Sequence, residues 1–212
     1  MLGMREGYVK FSFDIKEITP VAEGKIKELN SYRQKCVALN LIGMNKAGKL
    51  KGVGFGNISV KDGDDFIISG TQTGKLNTLT NEHYTRITGY DLIKNHVECK
   101  GTVAPSSETM THAAVYDFDA SVKAVIHVHN KALWDYLLTL DVPKTSKDAA
   151  YGTPEMGYEI IRLLKETDAC RKKIIVMKGH KEGVLVIGKD LKEAYSVLMM
   201  YYNASKSVKC LK

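Results

Sequence analysis

The stretch Ala124-Val125-Ile126-His127-Val128-His129 places two imidazoles two residues apart in an otherwise aliphatic run. Aliphatic and β-branched residues in such a run have the profile of a buried strand. Strand side chains two apart point to the same face, so His127 and His129 stand side by side on one rigid surface. Imidazole is a good ligand for zinc and neighbouring divalent transition metals. The same spacing also describes two packed histidines. A metal centre needs a third ligand, and an enzyme needs a catalytic group beside it.

The chain offers candidates for both. His180 follows Lys178-Gly179 at the end of a second aliphatic run, Ile174 to Met177. A histidine beside a glycine at a strand end can project into a site from a backbone free to turn sharply. Upstream, Pro105-Ser106-Ser107-Glu108 opens an apolar segment from Met110 to Phe118. Ser106 or Ser107 is a natural helix N-cap, and the Glu108 carboxylate suits a first turn. Two hydroxyls and the N–H groups of a helix start also bind phosphate, with Glu108 just behind as a candidate base. His112 shares that helix face four residues on, where it either orients Glu108 or packs. Two loops add anion donors. Gly52 to Val60 is glycine-rich and carries the Asn57 amide. Ser69-Gly70-Thr71-Gln72-Thr73-Gly74 is small or polar throughout, the composition of a phosphate nest and equally of a surface loop.

Around these residues the periodicity predicts a long helix from Thr19-Pro20 to about Gly43, with proline in its first turn. Asp62 to Asp65 reads as a hairpin turn leading into strand 66–68. Residues 75–90 read as polar, helix-like material, and Leu92–Val97 as a strand. A helix over Asn130–Leu140, another from Thr153-Pro154-Glu155, a strand over Gly183–Gly188 and a last helix from Leu191 to about Ala204 follow.

The 212 residues are 44% hydrophobic, enough for one sizeable core. Residues 1–18 read as an N-terminal arm and 19–212 as one domain. No apolar run approaches a membrane span, and the first residues lack a signal-peptide apolar region. Four widely spaced cysteines with no Cys-x-x-Cys pair fit free thiols in a reducing cytoplasm. The net charge of +7 is spread over dispersed lysines without interleaved stacking aromatics, so its nucleic-acid signature is weak. It serves solubility or draws in small phosphorylated metabolites.

The ordered set Gly56-Asn57-Ile58-Ser59, Thr71-Gln72-Thr73-Gly74, Ser106-Ser107-Glu108, His127-Val128-His129 and Gly179-His180 resembles the class II aldolase/adducin family. The resemblance runs from about residue 20 to 204. It implies an α/β/α sandwich around a mostly antiparallel central sheet, and a homotetramer with active sites between subunits. It implies a Zn2+ ion, or Mn2+ or Co2+, on His127, His129 and His180, with Glu108 as acid/base. Asn57, Thr73, Gly74, Ser106 and Ser107 would hold a substrate phosphate. The implied reaction is aldol cleavage of a ketose 1-phosphate through a metal-stabilised enediolate. A dehydratase of the methylthioribulose-1-phosphate type, an epimerase or a decarboxylase uses the same ligands, and a non-catalytic adducin-like module shares the fold. Two departures bear on the reaction. The connection from Leu140 to Gly152 is short, and Tyr151, then Tyr201 and Tyr202, are the candidates for the proton-donating tyrosine of the fuculose-1-phosphate enzymes. Lys181-Glu182 stands where the family has glycine after the third histidine.

Overall fold

The structure is a computed structural model and describes residues 8–209. Its elements in chain order are β1 (Ser12–Glu17), α1 (Glu23–Ala38), β2 (Gly43–Met44), β3 (Gly54–Phe55), β4 (Asn57–Asp62), β5 (Asp65–Ser69), β6 (Tyr84–Asp91) and β7 (His96–Gly101). Then follow α2 (Thr109–Phe118), β8 (Ala124–His129), α3 (Lys131–Thr139), α4 (Pro154–Glu166), α5 (Ala169–Lys172), β9 (Ile174–Val176), β10 (Gly183–Gly188) and α6 (Leu191–Lys209). Eight strands form one sheet in the order β1-β7-β6-β5-β4-β8-β10-β9, while β2 and β3 pair separately. Within the large sheet only β1 with β7 is parallel.

Helices cover both faces, so the sheet is buried on each and its central strands read as nearly continuous apolar runs. On one side Leu29 and Cys36 of α1, Leu133 and Leu137 of α3, and Leu191 and Leu198 of α6 close over Ile58, Ile126, Val128 and Val184. On the other, Met110 and Ala114 of α2 and Met156, Ile160 and Leu163 of α4 close over Ile68, Val97, Val125 and Leu185. This is the three-layer α/β/α sandwich about a mostly antiparallel sheet. The strand β8 is the sixth of the eight, between β4 and β10. Ala124, Ile126 and Val128 enter the first core, Val125 the second. The period of two therefore sends His127 and His129 to the α2 face. Asn57 of β4 and Leu185 of β10 lie opposite His127, and Gly183 lies opposite His129.

Several elements differ from the sequence expectation. The first long helix starts at Glu23 and stops at Ala38, and Asn40, in the left-handed region at φ 53°, turns the chain away. Residues 84–91, expected to be helix-like, are a strand: Tyr84, Thr85 and Ile87 are buried between β5 and β7, and pairing on both edges overrides a polar composition. The expected strand at Leu92–Val97 is a turn through Asn95, and the strand runs His96–Gly101. Ser12–Glu17, read as part of an arm, pairs along β7 at the sheet edge. Residues 1–7 of that arm, and Cys210 among the thiols, lie outside the described residues. Cys36, Cys99 and Cys170 are free thiols.

Candidate metal centre and active site

The end of β8 brings the two imidazoles together. Nε2 of His127 and Nε2 of His129 are 3.1 Å apart. The His127 Nδ1 lies 3.2 Å from the Val184 carbonyl, so it carries the proton as donor and leaves the Nε2 lone pair facing His129. His180 reaches the pair from the turn between β9 and β10. That turn is tied by His180 N–H to the Met177 carbonyl, 3.1 Å, and by Gly183 N–H to the His180 carbonyl, 2.8 Å. Gly179 has no room for a side chain, since a Cβ there would meet the Ala149 carbonyl. Gly183 is bare for a related reason: a Cβ would sit 2.8 Å from the His180 carbonyl and 3.2 Å from the His127 ring.

Ligand nitrogens of His127, His129 and His180 all lie within 4.8 Å of one another. A tetrahedral zinc with Zn–N distances of about 2.0–2.1 Å separates its nitrogens by roughly 3.3 Å. The donor set therefore fits a divalent transition metal in chemistry, and the His127–His129 pair at 3.1 Å fits it in spacing. Burial, then the neighbouring His180 and His127, hold the His129 imidazole well below its ordinary pKa and neutral, the form that ligates. A second group, Asp14, His96 and Glu98, is more exposed, and its two carboxylates already hold the Lys16 ammonium at 3.2 and 3.0 Å.

Glu108, at the start of α2, is buried against the histidines. Its Oε1 lies 3.0 Å from His180 Nδ1, and its Oε2 accepts from the Thr111 hydroxyl at 2.7 Å. Burial pushes the carboxyl up, but the imidazoles of His180 and His127 and the Thr111 hydroxyl outweigh it and hold it at about 2. The group is an ionised carboxylate in a water-poor site. His112, four residues on, is fully buried and takes the packing role. Its Nδ1 is 2.7 Å from Ser59 Oγ, which lies 2.7 Å from the Tyr116 hydroxyl. Burial first, then His127, push the His112 pKa down to about 3, against Glu108.

One cleft joins these groups. Its wall contains His127, His129, His180, Glu108, Asn57, Thr73, Gly74, Ser106 and Ser107, which the sequence singled out. It also contains Thr71 and Gln72 of the same small-residue loop, and Phe55, which the sequence did not single out. Gln72 takes the left-handed conformation at φ 56° and turns the 70–76 segment back towards the sheet. Gly74 then passes the Gly43 carbonyl so closely that a Cβ would come within 2.1 Å of it. The structure does not bring Tyr151 into this wall. Its ring is stacked on His180 at 4.6 Å, with Lys10 Nζ 3.4 Å from the ring centroid. Among the described residues no tyrosine lines the cleft. Among the described residues no helix is long and apolar enough to cross a membrane.

With the fold and site in view, comparison with known proteins gives a single answer. Residues 44–207 match the sequence profile of the class II aldolase and adducin N-terminal domain, and the chain belongs to that family. It is 32% identical over 149 residues to an L-fuculose phosphate aldolase of Methanococcus maripaludis, covering 66% of this chain and 76% of the relative. An L-fuculose 1-phosphate aldolase structure superposes with a TM-score of 0.67 at 19% identity, over 91% of this chain and 87% of the other. YgbL from Klebsiella pneumoniae, provisionally described as an aldolase/epimerase/decarboxylase, gives 0.65 at 18% identity, over 90% and 91%.

Proposed function

We propose that this chain is a metal-dependent aldehyde-lyase that cleaves a ketose 1-phosphate to dihydroxyacetone phosphate and an aldehyde. The observation that carries the reading is one cleft holding three imidazoles, a buried carboxylate 3.0 Å from one of them and a wall of hydroxyl and amide donors. In this reading His127, His129 and His180 hold Zn2+, Mn2+ or Co2+. The ion supplies Lewis-acid stabilisation of negative charge beside the scissile bond when bound.

The protein's own groups do the rest. Asn57, Ser106, Ser107, Thr73 and Gly74 bind the substrate phosphate, and that remote binding fixes the reacting carbons against Glu108. When the carbon–carbon bond breaks, the Glu108 carboxylate takes the proton from the hydroxyl oxygen on the carbon that becomes the aldehyde. The electron pair stays on the dihydroxyacetone phosphate carbon, and Glu108 then returns that proton to this carbon. Tyr151, with its ring against His180, holds that imidazole in place. The enzyme works as a cytoplasmic homotetramer on a small phosphorylated sugar, without a nucleic-acid or membrane partner.

A second reading, as dehydratase, epimerase or decarboxylase, is favoured by the lack of a tyrosine in the cleft wall among the described residues. Retention of all three histidines and Glu108 in one cleft speaks against a non-catalytic adducin-like module. A panel of ketose 1-phosphates, each with added zinc, manganese or cobalt, tests the proposal. Release of dihydroxyacetone phosphate supports it. Loss of water, epimerisation or carbon dioxide release without aldol cleavage supports the second reading instead.

A further inference from the structure

Arg33 of α1 carries a buried charge that the reaction above does not use. It is 1% exposed. One guanidinium nitrogen donates to the carbonyls of Thr73, 2.9 Å, and Leu76, 2.8 Å; another donates to the carbonyl of Asn77, 3.2 Å. Among the described residues no carboxylate pairs with it, and the titratable groups that act on it are Tyr84 and Cys36, both buried and un-ionised. Carbonyls satisfy the N–H groups but leave the charge without a counter-ion, and a buried uncompensated charge is costly. Asn30, one turn earlier on α1, donates to the Leu79 carbonyl at 2.7 Å and so already ties the same segment down without a charge.

The geometry shows where the charge is felt. The Thr73 carbonyl and the Gly74 N–H are the two ends of one peptide group. Both residues line the cleft, whose wall contains neither lysine nor arginine among the described residues. A guanidinium donating to a peptide carbonyl polarises that peptide and strengthens its N–H as a donor. In a low-dielectric setting its field also reaches across the peptide with little screening. An anion on the far side of the Thr73–Gly74 peptide completes the charge balance that the protein leaves open.

We propose that Arg33 is the buried counter-charge for the anion bound in this cleft, a positioning residue that acts through the Thr73–Gly74 peptide. The inference rests on the reading of the cleft as a phosphate site. It goes further by placing the positive charge for that phosphate behind the loop, where it is dry and fixed.

The test titrates inorganic phosphate into the metal-replete full chain, by calorimetry and by thermal unfolding. The proteins are wild type, Arg33→Gln, Arg33→Met, Arg33→Lys and the cleft variant Ser106→Ala. Arg33→Gln keeps N–H donors for the carbonyls and removes the charge. The expected result is phosphate affinity lower by about tenfold or more in Arg33→Gln and Arg33→Met, within the usual range of coupling between sites. The phosphate-dependent rise in Tm shrinks with it. Arg33→Lys recovers part of both, and metal content is unchanged throughout. In turnover, KM for a phosphorylated substrate rises while kcat holds. A purely structural role would lower Tm with and without phosphate and leave the phosphate-dependent rise intact. Arg33→Gln or Arg33→Met binding phosphate as wild type does, or Arg33→Lys failing as Arg33→Gln does, overturns the role of the charge. Wild type that does not bind phosphate, or Ser106→Ala that binds it equally well, overturns the phosphate site itself and the inference with it.

Discussion

Ser59→Ala should destabilise this protein far more than the loss of one hydroxyl ordinarily does. Ser59 is fully buried in β4, and its Oγ is the only link between His112 Nδ1 and the Tyr116 hydroxyl, each 2.7 Å away. The other ring nitrogen of His112 is buried with no hydrogen-bond partner, so the variant leaves that imidazole with none. His112 is left with no buried partner, about 1–3 kcal/mol, while Tyr116 keeps the Val125 backbone and loses about 1 kcal/mol, a total of about 2–4 kcal/mol. The space left by one oxygen is too small to admit a water with partners of its own. Tyr116→Phe leaves the Ser59–His112 bond in place and should cost about 1 kcal/mol. Urea unfolding at fixed protein concentration, which removes any effect of assembly, reads the difference. With a slope of roughly 2–3 kcal/mol/M, Ser59→Ala lowers the midpoint by on the order of 1–2 M. A Ser59→Ala midpoint equal to wild type, or no lower than that of Tyr116→Phe, would refute the reasoning that this buried chain is held by its central hydroxyl.

Glu108→Gln keeps the shape and the Thr111 contact but loses the carboxylate, and turnover should fall at least about a hundredfold. Metal content read in parallel should not change, and undiminished turnover removes Glu108 from its role. Gly74→Ala drives a Cβ towards the Gly43 carbonyl, 2.1 Å in the undisplaced chain, so the 70–76 loop must move. Phosphate binding should be lost with the ion still bound, and an unchanged phosphate affinity contradicts the close passage. Asp62 is held below its ordinary pKa by the Lys25 ammonium, against the effect of burial and with help from Arg86. Its folded value lies below its unfolded one, so its stabilisation is present above about pH 4 and is lost as pH falls through the folded value. The stability gap between wild type and Asp62→Asn should therefore narrow from about pH 5 to about pH 3, and a gap that does not change with pH contradicts the ion pair.

Much of this architecture was legible in residue order because the informative elements obey one period each. The β8 run alternates between two cores with only its histidines out of pattern, and α4 carries Met156, Ile160, Leu163 and Leu164 on one buried stripe. The site was legible because its residues are chemically marked and lie on short loops: Asn57, Thr73, Gly74, Ser106, Ser107 and Glu108. Residues 84–101 misled because Thr85, Arg86 and Thr88 are polar and the strands exist by pairing with each other and with β5, an arrangement no local pattern encodes. Tyr151 matches a proton-donating tyrosine in chemistry and chain position, and only the three-dimensional path shows its ring lying against His180. Arg33 gave a signal that went unread: it lies at helical spacing from Ile26, Leu29 and Cys36, on the buried stripe of α1. A charge on a buried stripe demands a partner, and the partner here is a loop forty residues on.

The most direct test of the account is the rate of dihydroxyacetone phosphate release measured as metal-free protein is titrated with zinc. The histidine cluster predicts no turnover in chelator and a rise that saturates at about one ion per chain. Turnover that is the same in chelator, or protein that takes up no ion, would contradict it.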